Sequence, residues 1–488
     1  MAILITSPGL VTTGTEGADN ILFGTGLATG NATVVDGLAG NDTIVGSNIG
    51  QFSAANIGAG PVFNGGGGAD VLTFTGGISG GTTSATNAVL NGGAGRDTIT
   101  LSGTDSGLIG NVAGADGGDL ITLVGTGIYS AIGGGAGLDT IELSGVTTLA
   151  TGATIGAGAG NDVISGAVTT LTGAAVLGGG GSDTITLAAI AGTGSFVNGD
   201  TTTNGGLADS IAVNTMAAGT IIRGKGGADT INVTNTLGSA VIAGNAGGDV
   251  LVLSGTVADD FAVQAGQGGD SVTLDEADLT NVSGILLAGG GNDTILIADV
   301  IVANTGISMN GGAGVDSITF SGVLSDLNLG VLEISDLGDS KGGAMDTVDL
   351  TGIAAGETGT LSFAASTSLS LGSAGALSAI ADVAFTGATT TGFFTAAGQS
   401  GTVTSGAMSF SGQGSATVAS AMVHADAVTL IGTDTTKAGK SVLFTAGADE
   451  YLFIQGGATG TSDDYVVKFN GTSGSTMTGT TMLLEGDT

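Results

Sequence analysis

Cysteine and tryptophan are absent from this 488-residue chain, which holds two prolines and a single histidine. Without cysteine there is no disulfide framework, no zinc-thiolate site and no thiol nucleophile. Lysine and arginine number 7 against 42 aspartates and glutamates, a formal net charge of −35. So few cations exclude binding of nucleic acid through a basic surface. Aromatic residues make up 4%, so large rings cannot build the core. No apolar run approaches the ~18–20 residues of a membrane-spanning helix, because Gly, Thr, Asn and Asp interrupt every one. No membrane span is expected. The first cation is Arg96, so the apolar start of the chain lacks the basic region of a Sec signal peptide. Export is expected to proceed without a cleaved N-terminal signal.

Glycine, by contrast, occurs 98 times, about one residue in five of the kind that helices tolerate least. So much glycine and acid would suit a disordered chain, but such chains are poor in Val, Ile and Leu. Here hydrophobic residues reach 41% and the mean hydropathy is +0.47. The composition is that of an acidic, aliphatic, glycine-punctuated fold.

Self-similarity explains the combination. Gly65-Gly-Gly-Gly-Ala-Asp70-Val-Leu-Thr, Gly92-Gly-Ala-Gly-Arg-Asp97-Thr-Ile-Thr, Gly134-Gly-Ala-Gly-Leu-Asp139-Thr-Ile-Glu, Gly178-Gly-Gly-Gly-Ser-Asp183-Thr-Ile-Thr and Gly311-Gly-Ala-Gly-Val-Asp316-Ser-Ile-Thr share one nonapeptide pattern. Looser copies centre on Asp19, Asp42, Asp119, Asp162, Asp229, Asp249, Asp270 and Asp293, and degenerate ones on Asp209 and Asp346. Two residues after each Asp stands an aliphatic residue, from Ile21 and Ile44 through Ile318 to Val348. A second aliphatic column lies two residues before the motif: Val35, Phe63, Leu90, Val112, Ile132, Ile155, Val176, Ile222, Ile242, Val263, Leu286 and Met309. Both columns sit in segments of alternating polarity, the period of a strand with one buried face. A unit this small cannot bury its own apolar face, whereas stacked units can. The expected fold is therefore all-β, a parallel β-solenoid of about fifteen coils followed by a β-rich C-terminal cap.

Stacking would align the aspartates in a file along one edge, where like charges repel and raise each other's pKa unless a cation lies between them. Calcium suits such an edge, because it takes 6–8 oxygens from carboxylates and carbonyls with tolerance for irregular geometry. About fourteen ions between the stacked turns would add about +28 to a chain of −35.

The nonapeptide resembles that of the repeats-in-toxin, or hemolysin-type, calcium-binding β-roll proteins, over roughly residues 14–349. The resemblance implies Ca2+ ligation by Asp19, Asp42, Asp70, Asp97, Asp119, Asp139, Asp162, Asp183, Asp229, Asp249, Asp270, Asp293 and Asp316, completed by carbonyls of neighbouring turns. That family runs its nonapeptides in tandem, with ions on both edges; one motif per coil here implies a single row. The copies at Asp209 and Asp346 carry Leu207 and Ala344 where the fourth glycine belongs, and each has an upstream Gly-Asp pair. Asp200, Asp209, Asp339 and Asp346 are thus further candidates, at bulged or vacant sites.

The motif stops near residue 350. The expected division is an N-terminal cap segment 1–13, a calcium-binding solenoid 14–350, a β-rich continuation without ion motifs 351–425 and a C-terminal β cap 426–488. The last of these, with Val442-Leu-Phe444, Tyr451-Leu-Phe-Ile454 and Tyr465-Val-Val-Lys-Phe469 split by Gly456-Gly and Asp463-Asp, is similar to the C-terminal regions of type I secreted surface proteins.

No catalytic site emerges. Gly77-Ile-Ser79-Gly-Gly81 and Gly338-Asp-Ser340-Lys-Gly342 match the nucleophile-elbow pattern, but chance supplies such matches at this glycine content. His424 is the only histidine, and no metalloprotease H-E-x-x-H occurs. Asp434-Thr-Thr-Lys-Ala-Gly439-Lys-Ser441 lacks the first glycine of a P-loop. The expected protein is not an enzyme but a secreted structural one. It is a calcium-stiffened solenoid that associates with itself into a bacterial surface layer or extracellular filament, with outer cell-surface polysaccharide as a further candidate partner. The alternative is a secreted adhesin or other binding solenoid; ice binding is disfavoured because few coils offer a Thr-x-Thr pair.

Overall fold

The structure is a computed structural model. It describes residues 2–5, 11–23, 34–47, 61–75, 88–103, 108–124, 128–144, 148–166, 173–201, 206–278, 283–298 and 306–321, and beyond these the strands alone. The fold is a parallel β-solenoid, and no helix occurs among the described residues. The chain divides into two units, Met1–Asp249 and Val250–Thr488.

In the first unit each coil contributes two strands, one on either side of the glycine turn. Ala88–Ala94 leads into the turn and Thr98–Leu101 leaves it. Strands of the first kind pair in parallel from coil to coil, setting Leu90 opposite Val112, Val112 opposite Ile132 and Ile132 opposite Ile155. Strands of the second kind set Ile99 opposite Ile121, Ile121 opposite Ile141 and Ile141 opposite Ile164. Parallel pairing needs a crossover of a dozen or more residues, which one full coil supplies.

Both aliphatic columns lie inside: Ile99, Ile121, Ile141, Leu90, Val112 and Ile155 are all buried. Thr98–Leu101 shows why, since its alternation puts Ile99 and Leu101 inward and the threonines outward. Branched side chains stack well on a pleated surface, so each column becomes a ladder. Three of the few rings gather early in the unit, with Phe63 edge-on to Phe23 and tilted against Phe74. Coil length varies from 20 residues between Asp119 and Asp139 to 28 between Asp42 and Asp70. The ladders beside the turn stay in register nonetheless, and part of the difference is taken up by bulges farther along the strand, as between Leu149 and Thr154 opposite Tyr129 and Ala131.

The second unit repeats the scheme. Val250–Thr256, Ser271–Asp278, Thr294–Ala298 and Ser317–Ser321 form one parallel series, and Phe261–Gln267, Ser283–Gly290 and Gly306–Ala313 the other. Gly284, opposite Phe261, leaves the space the ring fills, since a Cβ there would overlap it. Parallel pairing continues to Val331–Leu337 and Gly359–Ala364, and to Thr347–Asp349 and Ser368–Ser370. Antiparallel pairs then join in, Val383–Thr386 with Ser400–Thr404 and the latter with Ala407–Ser411, Lys440–Ala446 with Asp449–Ile454 and the latter with Tyr465–Asn470, alongside parallel pairs such as Gly359–Ala364 with Tyr465–Asn470.

Candidate metal centre along the aspartate edge

The turn fixes the geometry before the aspartate is considered. Numbering the motif from its first glycine, the second position is left-handed in the copies from Asp42 to Asp316 other than that of Asp209, whether glycine (Gly93, φ 111°) or not, and is not so at Thr15 in the first copy. Leu38, Ala115, Lys225 and Asn245 adopt φ of 75°, 85°, 90° and 83° there, four of the five positive-φ non-glycines described. The fourth position is more demanding. Gly95, Gly117 and Gly137 have φ of 130°, 136° and 143°, a region open essentially to glycine alone. A Cβ on Gly95 would also overlap the carbonyl oxygen of Gly68 in the preceding coil. Each fourth-position amide donates to the third-position carbonyl of the next coil, as from Gly95 to Asp116 and from Gly117 to Ala136.

This lacing delivers the aspartates to one buried file. Asp42, Asp70, Asp97, Asp119, Asp139, Asp162, Asp183, Asp209 and Asp229 are each no more than 3% exposed. The backbone N–H of each Asp donates to Oδ1 of the Asp one coil on: Asp70 to Asp97 and Asp119 to Asp139 at 2.7 Å, Asp97 to Asp119 at 2.8 Å. The series runs unbroken from Asp19 to Asp249 in the first unit. It runs again from Asp270 through Asp293 to Asp316 in the second. The Asp carbonyls are used as well, accepting from the residue after the next Asp, as Asp70 does from Thr98.

One carboxylate oxygen therefore binds the main chain, and the other does not. Oδ2 of Asp42, Asp70, Asp97, Asp119, Asp139, Asp162, Asp183, Asp209, Asp229 and Asp293 is buried with no hydrogen-bond donor. Leaving such an oxygen unmet is costly. What lies beside it is another oxygen. The place a Cβ on Gly92 would occupy is 2.5 Å from Asp97 Oδ2 and 2.8 Å from the carbonyl oxygen of Gly114 in the next coil. At Gly178 both distances, to Asp183 Oδ2 and the Gly199 carbonyl, are 2.5 Å. The first glycine of the motif thus keeps a small cradle clear between a carboxylate and a carbonyl.

Burial drives the acidity of the file. It pushes the carboxyls of Asp97, Asp139, Asp183 and Asp293 up to about 6, with the charge of file neighbours adding to the rise and the accepted amide hydrogen opposing it. Asp229 rises to about 7 and Asp209 to about 8, again chiefly through burial. Among the described residues no three His, Cys, Asp or Glu side chains converge to form a metal cage, so an ion here would rely on one or two carboxylates plus main-chain carbonyls. That donor set, all oxygen and irregular, fits calcium, and the unmet Oδ2 atoms are where its charge would act.

The file of the first unit brings together the ten motif aspartates from Asp19 to Asp249, and Asp209 with them, and that of the second unit Asp270, Asp293 and Asp316. Asp200 lies outside it, in register with Gly179. Asp339 and Asp346 lie outside the described residues, as do the serine motifs, His424 and residues 434–439 of the P-loop-like segment, whose Lys440 and Ser441 begin a strand. The Asp209 copy is organised differently from its linear reading. Its first position is Gly199, where a Cβ would overlap Asp209 Oδ2, and its fourth-position carbonyl is that of Leu207, which a Cβ on Gly227 would overlap. An insertion between second and fourth positions relieves Leu207 of the glycine conformation. Val197, absent from the second column as read in sequence, completes it between Val176 and Ile222; its signal was the spacing of two residues before Gly199. No protein-family model matches the chain, and no curated protein matches it. The likeness to the β-roll rests on the motif, the parallel coils and the aspartate turns.

Proposed function

We propose that the protein is a secreted structural element, a β-solenoid stiffened by a row of calcium ions and associating with itself in an extracellular layer or filament. The observation that carries the reading is the line of buried Oδ2 atoms without donors, those of Asp42, Asp70, Asp97, Asp119, Asp139, Asp183 and Asp209 each beside a carbonyl of the next coil. Asp42, Asp70, Asp97, Asp119, Asp139, Asp162, Asp183, Asp209, Asp229 and Asp293 would supply carboxylate oxygens, and the first-position residues of adjacent coils the carbonyls. Calcium would supply positive charge between carboxylates that otherwise raise each other's energy. Sites with so few carboxylates apiece suit the weak end of the calcium range, about 10⁻⁴–10⁻³ M, which extracellular modules use. A chain given over to coils, with no catalytic constellation in its sequence, supports a building role over an enzymatic one.

Circular dichroism and electron microscopy of the full chain, with calcium and after its removal, test this. Calcium is expected to raise the midpoint of unfolding, because binding to the native state alone is folding energy, and to yield sheets or filaments on the grid. An unfolding midpoint indifferent to calcium would sink the stiffening, and monomers at every calcium concentration would sink the assembly and favour an adhesin.

A further inference from the structure

The interrupted coil holds a carboxylate that the file does not use. Asp200 is 4% exposed and its Oδ2 has no hydrogen-bond donor. It is the one described aspartate outside the file in that condition. Its register partner is Gly179, so it places a carboxylate where the preceding coil has no side chain. The carboxylate accepts the amide of Leu207, across the insertion, and its surroundings are oxygen. A Cβ on Gly206 would overlap both Asp200 Oδ2 and the carbonyl oxygen of Gly226. A Cβ on Gly199 would overlap Asp209 Oδ2 and lie 2.8 Å from the carbonyl oxygen of Gly224. Gly224 and Gly226 flank Lys225 in one turn of the next coil. Two unmet carboxylate oxygens from a single coil therefore face two carbonyls of a single turn.

We propose that Asp200 and Asp209 form a two-carboxylate cation site at the base of the inserted loop, binding calcium more tightly than any other coil of the first unit. Only the choice of ion rests on reading the file as a calcium row. Affinity for calcium rises with the number of charged ligands, and this coil alone offers a second buried carboxylate. The site would also clip the loop: Asp200 precedes the insertion and Asp209 follows it, so one ion ties the two stems. The residual cost of closing the insertion is thereby offset.

The test is calcium titration of the full chain in competition with a chelating dye, on the unaltered protein, Asp200→Asn and Asp200→Gly. The first variant keeps the shape; the second installs the residue type found in register in the preceding coil. Unfolding of the three in calcium-free buffer is measured alongside. The expected result is loss of the tightest ion, or its weakening by about tenfold or more, in both variants, with calcium-free stability kept in Asp200→Asn, which retains an acceptor for the Leu207 amide. A protein that binds many ions but whose tightest is untouched in either variant overturns this site and leaves the row standing. One tight ion lost in both variants, with no others bound, supports the site and overturns the row. Absence of any bound calcium overturns both, and equal destabilisation in calcium-free buffer overturns the site in favour of a plain loop staple.

Discussion

At the scale of single residues the turn discriminates sharply between glycines that look alike in sequence. Gly95 and Gly180 both belong to glycine-rich copies of the motif. Gly95 has φ of 130° and a neighbouring carbonyl where its Cβ would be, whereas a Cβ on Gly180 would meet nothing within 4 Å. Gly180 occupies the third position, filled by alanine in Ala94, Ala136 and Ala159. Gly95→Ala is expected to cost at least about 3 kcal/mol, through backbone strain and the forced separation of adjacent coils. Gly180→Ala should stay within about 0.5 kcal/mol of the parent. Urea unfolding of the two variants measures both; comparable losses would contradict the assignment of roles. The left-handed second position explains why Leu38, Ala115, Lys225 and Asn245 stand in a motif otherwise written with glycine: φ near 80° strains a side chain moderately, φ near 130° prohibitively.

At the scale of the coil, strand pairs and file depend on one another, and protons should report it. The folded carboxyls of Asp97, Asp139, Asp183 and Asp293 are pushed up to about 6 and that of Asp209 to about 8, while in the unfolded chain they titrate near ~3.9. The native state then holds more protons than the unfolded one across that interval, so stability is full below it and is lost as pH rises through the folded values. Metal-stripped protein is therefore expected to melt at a lower temperature at pH 8 than at pH 5. Saturating calcium should flatten the difference, because the cation takes the place of the protons. A melting temperature that rises with pH in stripped protein would contradict the burial of the file.

The coil is largely readable from sequence, because its signals are local and repeated. Ile99, Ile121 and Ile141 announce a buried column by spacing alone, and Asp97, Asp119 and Asp139 a common edge. What cannot be read is the division of labour within each carboxylate, one oxygen bound to a main-chain amide and one left over, since that depends on the rise between coils. The insertion after Asp200 escapes the sequence for a related reason. Aligning backwards from Asp209 puts Leu207 at the fourth position and hides Gly199, and only the cross-coil register of Val197 with Val176 and Ile222 restores the frame.

At the scale of the molecule the leading quantity is charge. With −35 on 488 residues, self-repulsion opposes compaction, while high net charge keeps the chain soluble and apart from its copies. About fourteen bound divalent ions would leave a charge of about −7, and copies could then approach. Migration toward the anode in a native gel is expected to slow several-fold in calcium at constant ionic strength. Unchanged migration of a calcium-loaded chain would mean that few ions bind, and the aspartate edge would then act as main-chain hydrogen bonding alone.

The bond from each Asp amide to the next Asp carboxylate runs one way only, and so gives the stack a grammar. Along the aspartate file an upstream amide is met by the coil that follows, that of Asp97 by Asp119 and that of Asp119 by Asp139, whereas ladder amides such as that of Thr98 are met by the coil before. Cutting such a stack leaves two unlike faces. One presents carboxylate oxygens, which water or a cation can satisfy; the other presents buried amide hydrogens that need an acceptor placed at a fixed height. At the aspartate edge a coil emerging from synthesis is thus a sentence without its last word, and each new coil both closes its predecessor there and reopens the same demand. At the aspartate edge, then, the last coil of a stack is the one whose amide still needs an acceptor.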